Sequence, residues 1–176
     1  MRRYTTGVVL VGVVAVGCTP QQGEPDPGAS EPTDHSAAPE ETAEHAALET
    51  YESMWDVLVE ESHRAEPDYS GLELYASGDA FALVRHGLGA ETEDGVVSRG
   101  EPTFSPEVVA DEEDRAEIED CMDSTAWLRE DSETGELVEP SPEGPLLRRV
   151  DATVTFDGLS WKVTDLQIWE IGSCDV

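Results

Sequence analysis

The chain has 176 residues, 40 acidic and 10 basic, and a formal charge of −30. Its length fits one domain, and its 38% apolar share supplies one small core. Such acidity argues against nucleic-acid binding, which needs a basic surface to displace counterions, and against electrostatic docking onto anionic lipid.

At the N-terminus Arg2 and Arg3 precede a run of eleven uncharged, mostly apolar residues, 7–17. A membrane span needs about 20 such residues, so the run reads as the apolar core of a signal peptide. It ends in Ala15-Val16-Gly17-Cys18, which resembles the lipobox of bacterial lipoproteins. That resemblance implies cleavage before Cys18 and a thioether-linked diacylglycerol on it, and two acyl chains anchor stably where one does not. The signal peptide is therefore expected over residues 1–17. With Cys18 lipidated, the other two of the three cysteines, Cys121 and Cys174, are left to each other, and a Cys121–Cys174 disulfide is expected.

Residues 18–42 follow as the lipidated cysteine and a tether rich in Pro, Glu, Gly, Ser and Ala, a composition that cannot bury enough surface to order itself. His35 lies in it, expected to be solvated. From residue 43 to 176 the pattern is that of a single α+β domain. Ala47, Tyr51, Met54, Trp55, Leu58 and Ser62 recur at helical spacing, which predicts a helix over about residues 42–64, stopping before Pro67. Leu72, Leu74 and Tyr75 suggest a short second helix. Ser77-Gly78-Asp79 would cap a third, carrying Phe81, Val84 (or Leu83) and Leu88 and ending near Gly95.

Strand signals follow. Residues 96–104 and 117–130 carry the first two. Asp131 to Gly135 reads as a turn, and the three prolines of residues 140–145 as a loop. Val150, Ala152, Val154 and Phe156 alternate with polar residues up to Asp157-Gly158, a hairpin signal. Trp161 and Val163 resume the alternation, but Leu166 and Ile168 are out of phase with them, which predicts a β-bulge near Thr164-Asp165.

Helices first and antiparallel strands after suggest an α+β domain. The order is similar to the nuclear-transport-factor-2-like cone shared with ketosteroid isomerases. More closely, the chain resembles small secreted lipoproteins of high-GC actinobacteria. Ala47…Tyr51…Met54-Trp55, Tyr75-Ala76-Ser77-Gly78-Asp79-Ala80, Val97-Ser98-Arg99-Gly100, Asp120-Cys121-Met122-Asp123, Trp161-Lys162-Val163-Thr164-Asp165 and Cys174 carry that resemblance. It implies three N-terminal helices packed in one curved antiparallel sheet. A residue usage with no Asn, one Lys and nine Arg agrees with a high-GC source.

No nucleophile elbow, zinc-binding H-E-x-x-H, C-x-x-C, phosphate loop or dinucleotide fingerprint occurs. No catalytic residue, metal ligand or cofactor is therefore expected. Asp111-Glu112-Glu113-Asp114 offers oxygens to Ca²⁺ but reads as a solvated acidic turn between two strands. His45, His63 and His86 are expected to be structural or exposed. Asp56, Asp120, Asp123 and Asp165 are the candidate carboxylates for an isomerase, with Tyr51 or Tyr75 as donors. Trp55, Trp127 and Trp161 are expected in the core, while the phase change turns Trp169 outward. Arg148-Arg149, the adjacent basic pair after the signal peptide, would answer nearby carboxylates or bind an anion.

These features point to a non-catalytic domain on the extracytoplasmic face of the membrane, held there by its lipid. It would bind a small apolar ligand or an envelope partner, and no nucleic acid. The alternative is an isomerase or dehydratase with a buried carboxylate. A third reading makes the acidity itself the function, in an envelope protein adapted to molar salt, where screening shortens to about 3 Å.

Overall fold

The computed structural model describes residues 42–174, which lie in one compact unit. The expected signal peptide, Cys18 and the tether up to residue 41 fall outside the described residues.

Helix α1 spans Ala43–Ser62, and Thr42 caps it by accepting a hydrogen bond from the His45 backbone N–H at 3.3 Å. Every residue of the expected apolar face, from Ala47 to Ser62, is buried. Helix α2 spans Gly78–Glu93, with Ala80, Val84 and Leu88 buried. Strands β1 (Val96–Arg99), β2 (Glu107–Glu112), β3 (Arg115–Asp123), β4 (Leu128–Asp131), β5 (Leu147–Phe156) and β6 (Trp161–Ile168) follow.

Two α-helices, not three, precede these strands. The expected second helix is a single 3₁₀ turn, Leu72–Leu74. Only Leu72 of that turn is buried, and Leu74 is 64% exposed, so no apolar face exists to stabilise further turns. The chain is then taken up by the edge of β6. Val163 donates to the Tyr75 carbonyl at 2.8 Å, and Ser77 donates to the Val163 carbonyl at 2.9 Å. Extended backbone satisfies the groups that a helix would have needed.

The strands form two sheets, not one curved sheet. The larger runs β2-β3-β5-β6, and the smaller pairs β1 with β4. The three-helix cone is thus replaced by a mixed α+β arrangement dominated by sheet. The expected strand over residues 117–130 splits because Ser124 leaves β3 by donating to the Leu146 carbonyl, and Trp127 closes a turn on Ser124. At Gly100 the backbone has φ +76°, and a Cβ there would lie 2.1 Å from the Ala126 carbonyl oxygen. That close crossing separates β1 from the path to β2.

Within the larger sheet β3 and β5 are antiparallel from Arg115 opposite Thr155 to Asp123 opposite Leu147. The β5–β6 hairpin turns at Asp157-Gly158, where Asp157 Oδ1 accepts from the backbone N–H groups of Leu159 and Ser160 at 2.8 and 2.9 Å. Thr153 pairs with Asp165 and Val154 with Val163, so Thr164 is the extra residue of the expected bulge. It returns Leu166 to the buried face. Tyr51, Met54 and Trp55 of α1 pack with Ile118, Met122, Val150, Val154 and Val163 in one core. Phe104 stacks on Trp55 with ring centroids 4.9 Å apart.

The Cys121–Cys174 disulfide is present, with Cα atoms 5.9 Å apart and a sequence separation of 53. It fixes the C-terminal segment along β5, where Gly172 donates to the Leu147 carbonyl at 2.7 Å and the Ser173 hydroxyl accepts from the Arg149 N–H at 2.8 Å. In the chain-entropy account a loop of this length contributes about 4 kcal/mol. Urea unfolding of a Cys121→Ser, Cys174→Ser double variant is expected to show that loss. Unchanged stability would mean the reduced chain is already restrained there.

Candidate functional site

A cavity of about 530 Å³ opens between α2, one end of α1 and the ends of both sheets. Small-ligand sites span about 300–1,000 Å³. Trp55 and Leu58 of α1 line it together with Met122 of β3. Leu83, Val84, Gly87 and Leu88 bring in one face of α2. Trp127 and Leu128 come from the turn into β4. The expected proline loop supplies Pro140 and Pro142, whose proline rings fix φ, and Leu146 follows it. Ile168 and Ile171, held by the disulfide-tethered end of the chain, complete the lining. Ile171 is 52% exposed and Leu83 40%, so the apolar surface continues to the rim.

Four charged side chains also line it: Glu91, Arg129, Glu139 and Arg148. Arg129 serves both acids, with Nε 3.3 Å from Glu91 Oε1 and an Nη 3.8 Å from Glu139 Oε1. Burial pushes the Glu91 carboxyl up from its ordinary value, and the Arg129 charge opposes that shift. Arg148 is different. Its Nε, like that of Arg129, is buried without a hydrogen-bond acceptor, but no carboxylate pairs with Arg148, and burial works against its charged form. Among the described residues Arg64, Arg99, Arg115, Arg129 and Arg149 each pair with a carboxylate. Arg85 lies over the Tyr69 ring, 5.7 Å from its centroid. Lys162 donates to the Glu73 carbonyl at 2.7 Å. Only the Arg148 side chain, among the described basic residues, has no such partner.

The two adjacent arginines thus part company. Arg149 reaches Glu119 at 2.9 Å and Asp151 at 2.6 Å on the outer face, as expected for a basic pair among acids. Arg148 sits opposite the buried Met122. The strand's own period carried this information. Stepping back by two from Val154, Ala152 and Val150 puts Arg148 on the buried face.

The structure brings Tyr51 and Asp120 together, away from the cavity lining. Tyr51 Oη donates to Asp120 Oδ2 at 2.9 Å, and the Ser105 N–H donates to Oδ1 at 2.7 Å. Burial raises the Asp120 carboxyl, while these hydrogen bonds pull it down. Burial, with the Asp120 charge beside it, drives the Tyr51 phenol far up, so it stays a donor.

The other candidates disperse. Asp56 and Asp165 are exposed, and Asp123 accepts from Thr125 in a local turn. Tyr75 packs half-buried against the core. His45 and His86 are exposed, and His63 contacts the Gly100 carbonyl at 2.9 Å. The acidic run ends β2 and forms its turn into β3. Among the described residues no group of three or more His, Cys, Asp or Glu is placed to hold a metal ion. Trp169 faces outward, 41% exposed, and donates to Asp151 at 2.8 Å.

No protein-family model matches the chain, and no curated protein matches it by sequence. Its fold is similar to that of the intermembrane space region of the chloroplast protein ARC6. The TM-score is 0.52 at 12% identity, over 72% of this chain and 96% of that one. At that identity the likeness concerns the fold alone.

Since burial dominates at Asp120, the folded chain holds that proton to higher pH than the unfolded chain. Its contribution to stability is present below the ordinary carboxylate range and lost as pH rises through the folded value. Urea midpoints across that interval are expected to show wild type losing stability relative to Asp120→Asn as pH rises. A relative gain would mean that the hydrogen bonds outweigh burial.

Proposed function

We propose that this chain is a lipid-anchored, extracytoplasmic binding module of the actinobacterial lipoprotein kind, and that its cavity holds a small apolar ligand. The observation that carries the reading is the cavity of about 530 Å³, walled by aromatic, aliphatic and proline side chains from both helices, both sheets and the tethered end. Burial of apolar ligand surface against such walls favours binding by about 25 cal/mol per Å². The anchor rests on Cys18 after its apolar run. The Cys121–Cys174 disulfide supports an oxidising compartment. Among the described residues no helix is long and apolar enough to cross a membrane. The isomerase reading lacks a comparable support, because Asp120 and Tyr51 satisfy each other outside the cavity lining.

Gly87 offers a way to close the cavity without weakening the fold. It lines the cavity from α2, and a Cβ there meets nothing within 4 Å. Replacing a helical glycine also raises helix propensity, by up to about 1 kcal/mol. Gly87→Leu is therefore expected to fold at least as stably as wild type and to lose binding of N-phenylnaphthylamine, read by its fluorescence. Equal probe binding in both proteins would place the site elsewhere, and no binding in wild type would remove the ligand reading.

The anchor has its own check. Cys18→Ser is expected to move the protein from the membrane fraction to the soluble secreted fraction. Retention at the membrane would assign attachment to something other than that cysteine.

A further inference from the structure

Resting on the cavity reading, we propose that the ligand is a monomeric anionic amphiphile. Its alkyl chain would lie against the apolar walls, and its carboxylate or phosphate head would pair with Arg148.

The argument starts from the register of β5. Arg148 shares the core-facing side of that strand with Val150, Ala152 and Val154, and it stands opposite the buried Met122. A guanidinium carries five donors and no acceptor, and removing it from water is costly unless those donors are met. Here Nε is buried and unmet. Acceptors are not scarce in this chain, which has 40 acids against 10 bases. The two carboxylates lining the same cavity, Glu91 and Glu139, are both engaged by Arg129. Arg148 is partly buried, and it has no internal ion pair to keep; even a buried ion pair is commonly replaced by apolar side chains at no cost to a fold. An arginine kept at this place without an internal partner is best matched by an acceptor that arrives with the ligand.

The chemistry of that acceptor follows from the fork of the guanidinium, which takes a carboxylate or phosphate through two parallel hydrogen bonds. The rest of the ligand follows from the walls, where Trp55, Leu58, Leu88 and Trp127 offer aromatic and aliphatic surface. A chain of charge −30 does not attract anions at long range. Selection of an anionic head must therefore be local. At physiological salt, screening over about 8 Å leaves a contact pair at Arg148 largely intact.

The test uses the full chain carrying Cys18→Ser, with N-phenylnaphthylamine as the bound reporter and dodecanoate, dodecyl phosphate and dodecanol as competitors. In the wild-type cavity both anionic compounds are expected to displace the probe at concentrations about tenfold or more below that of dodecanol. In Arg148→Gln that advantage, read as the ratio of dodecanol to anion concentrations that displace half of the probe within the same variant, is expected to vanish. Equal competition by all three compounds in the wild-type cavity would overturn the proposal with the cavity reading intact, and needs no variant to fold. An advantage that survives in Arg148→Gln would overturn the role of Arg148. A probe that does not bind the wild-type cavity would overturn the cavity reading and this inference with it.

Discussion

The hydrogen bond from Tyr51 to Asp120 is the contact on which the geometry of this domain turns. Asp120 occupies a core position of β3, between Ile118 and Met122, where its neighbours two residues away are fully buried. A carboxylate there demands donors, and it finds one from α1 and one from the Ser105 backbone. The bond therefore sets the rotation of α1 about its axis. With Tyr51 turned to Asp120, Trp55 and Leu58 one to two turns later face the cavity. The next residue of β3, Cys121, ties in the C-terminal segment from which Ile171 joins the cavity lining. Adjacent residues of one strand thus anchor two of the segments that line the cavity.

Part of the acid excess serves local structure. Asp68, Asp123, Asp131 and Asp157 each accept hydrogen bonds from the Ser or Thr two or three residues ahead, which hold their carboxyls below the usual range. They make turns where Asn often serves in other chains, and this chain has no Asn. On the outer face of the larger sheet Arg149 bridges Glu119 and Asp151, and Asp151 also receives the Trp169 indole. These acids lie on the exposed side, while the inner face of the same sheet carries Asp120 and Arg148.

Sequence pattern read some of this directly. Spacing of three and four placed α1 and its buried face, because burial of a long amphipathic helix leaves an unambiguous period. Alternation and Asp157-Gly158 placed the last hairpin, and the phase slip at Leu166 located the bulge at Thr164. The cysteine count, once the lipobox resemblance had set Cys18 aside, pointed to the disulfide. The pattern failed where tertiary contact overrode local preference. Leu72, Leu74 and Tyr75 have helical spacing, yet the edge of β6 claims the backbone at Tyr75 and Ser77. The division into two sheets depends on the turn at Ser124 and Trp127 and on the close crossing at Gly100. Neither leaves a periodic trace. The cavity draws on residues from Trp55 to Ile171, so no short motif could announce it. Arg148 was legible in principle, but beside Arg149 it reads as half of a surface pair.

The crossing at Gly100 bears on how this fold can diverge. Two separate conditions, a positive φ and a carbonyl oxygen 2.1 Å from where a side chain would begin, apply at one residue. Relaxing either alone leaves the other in force, so drift cannot pass through an intermediate amino acid. A descendant that preserves the crossing must preserve the glycine, however little else it shares. Position 100 is therefore a fixed point for aligning remote kin whose overall identity has fallen too low to register the chains against each other.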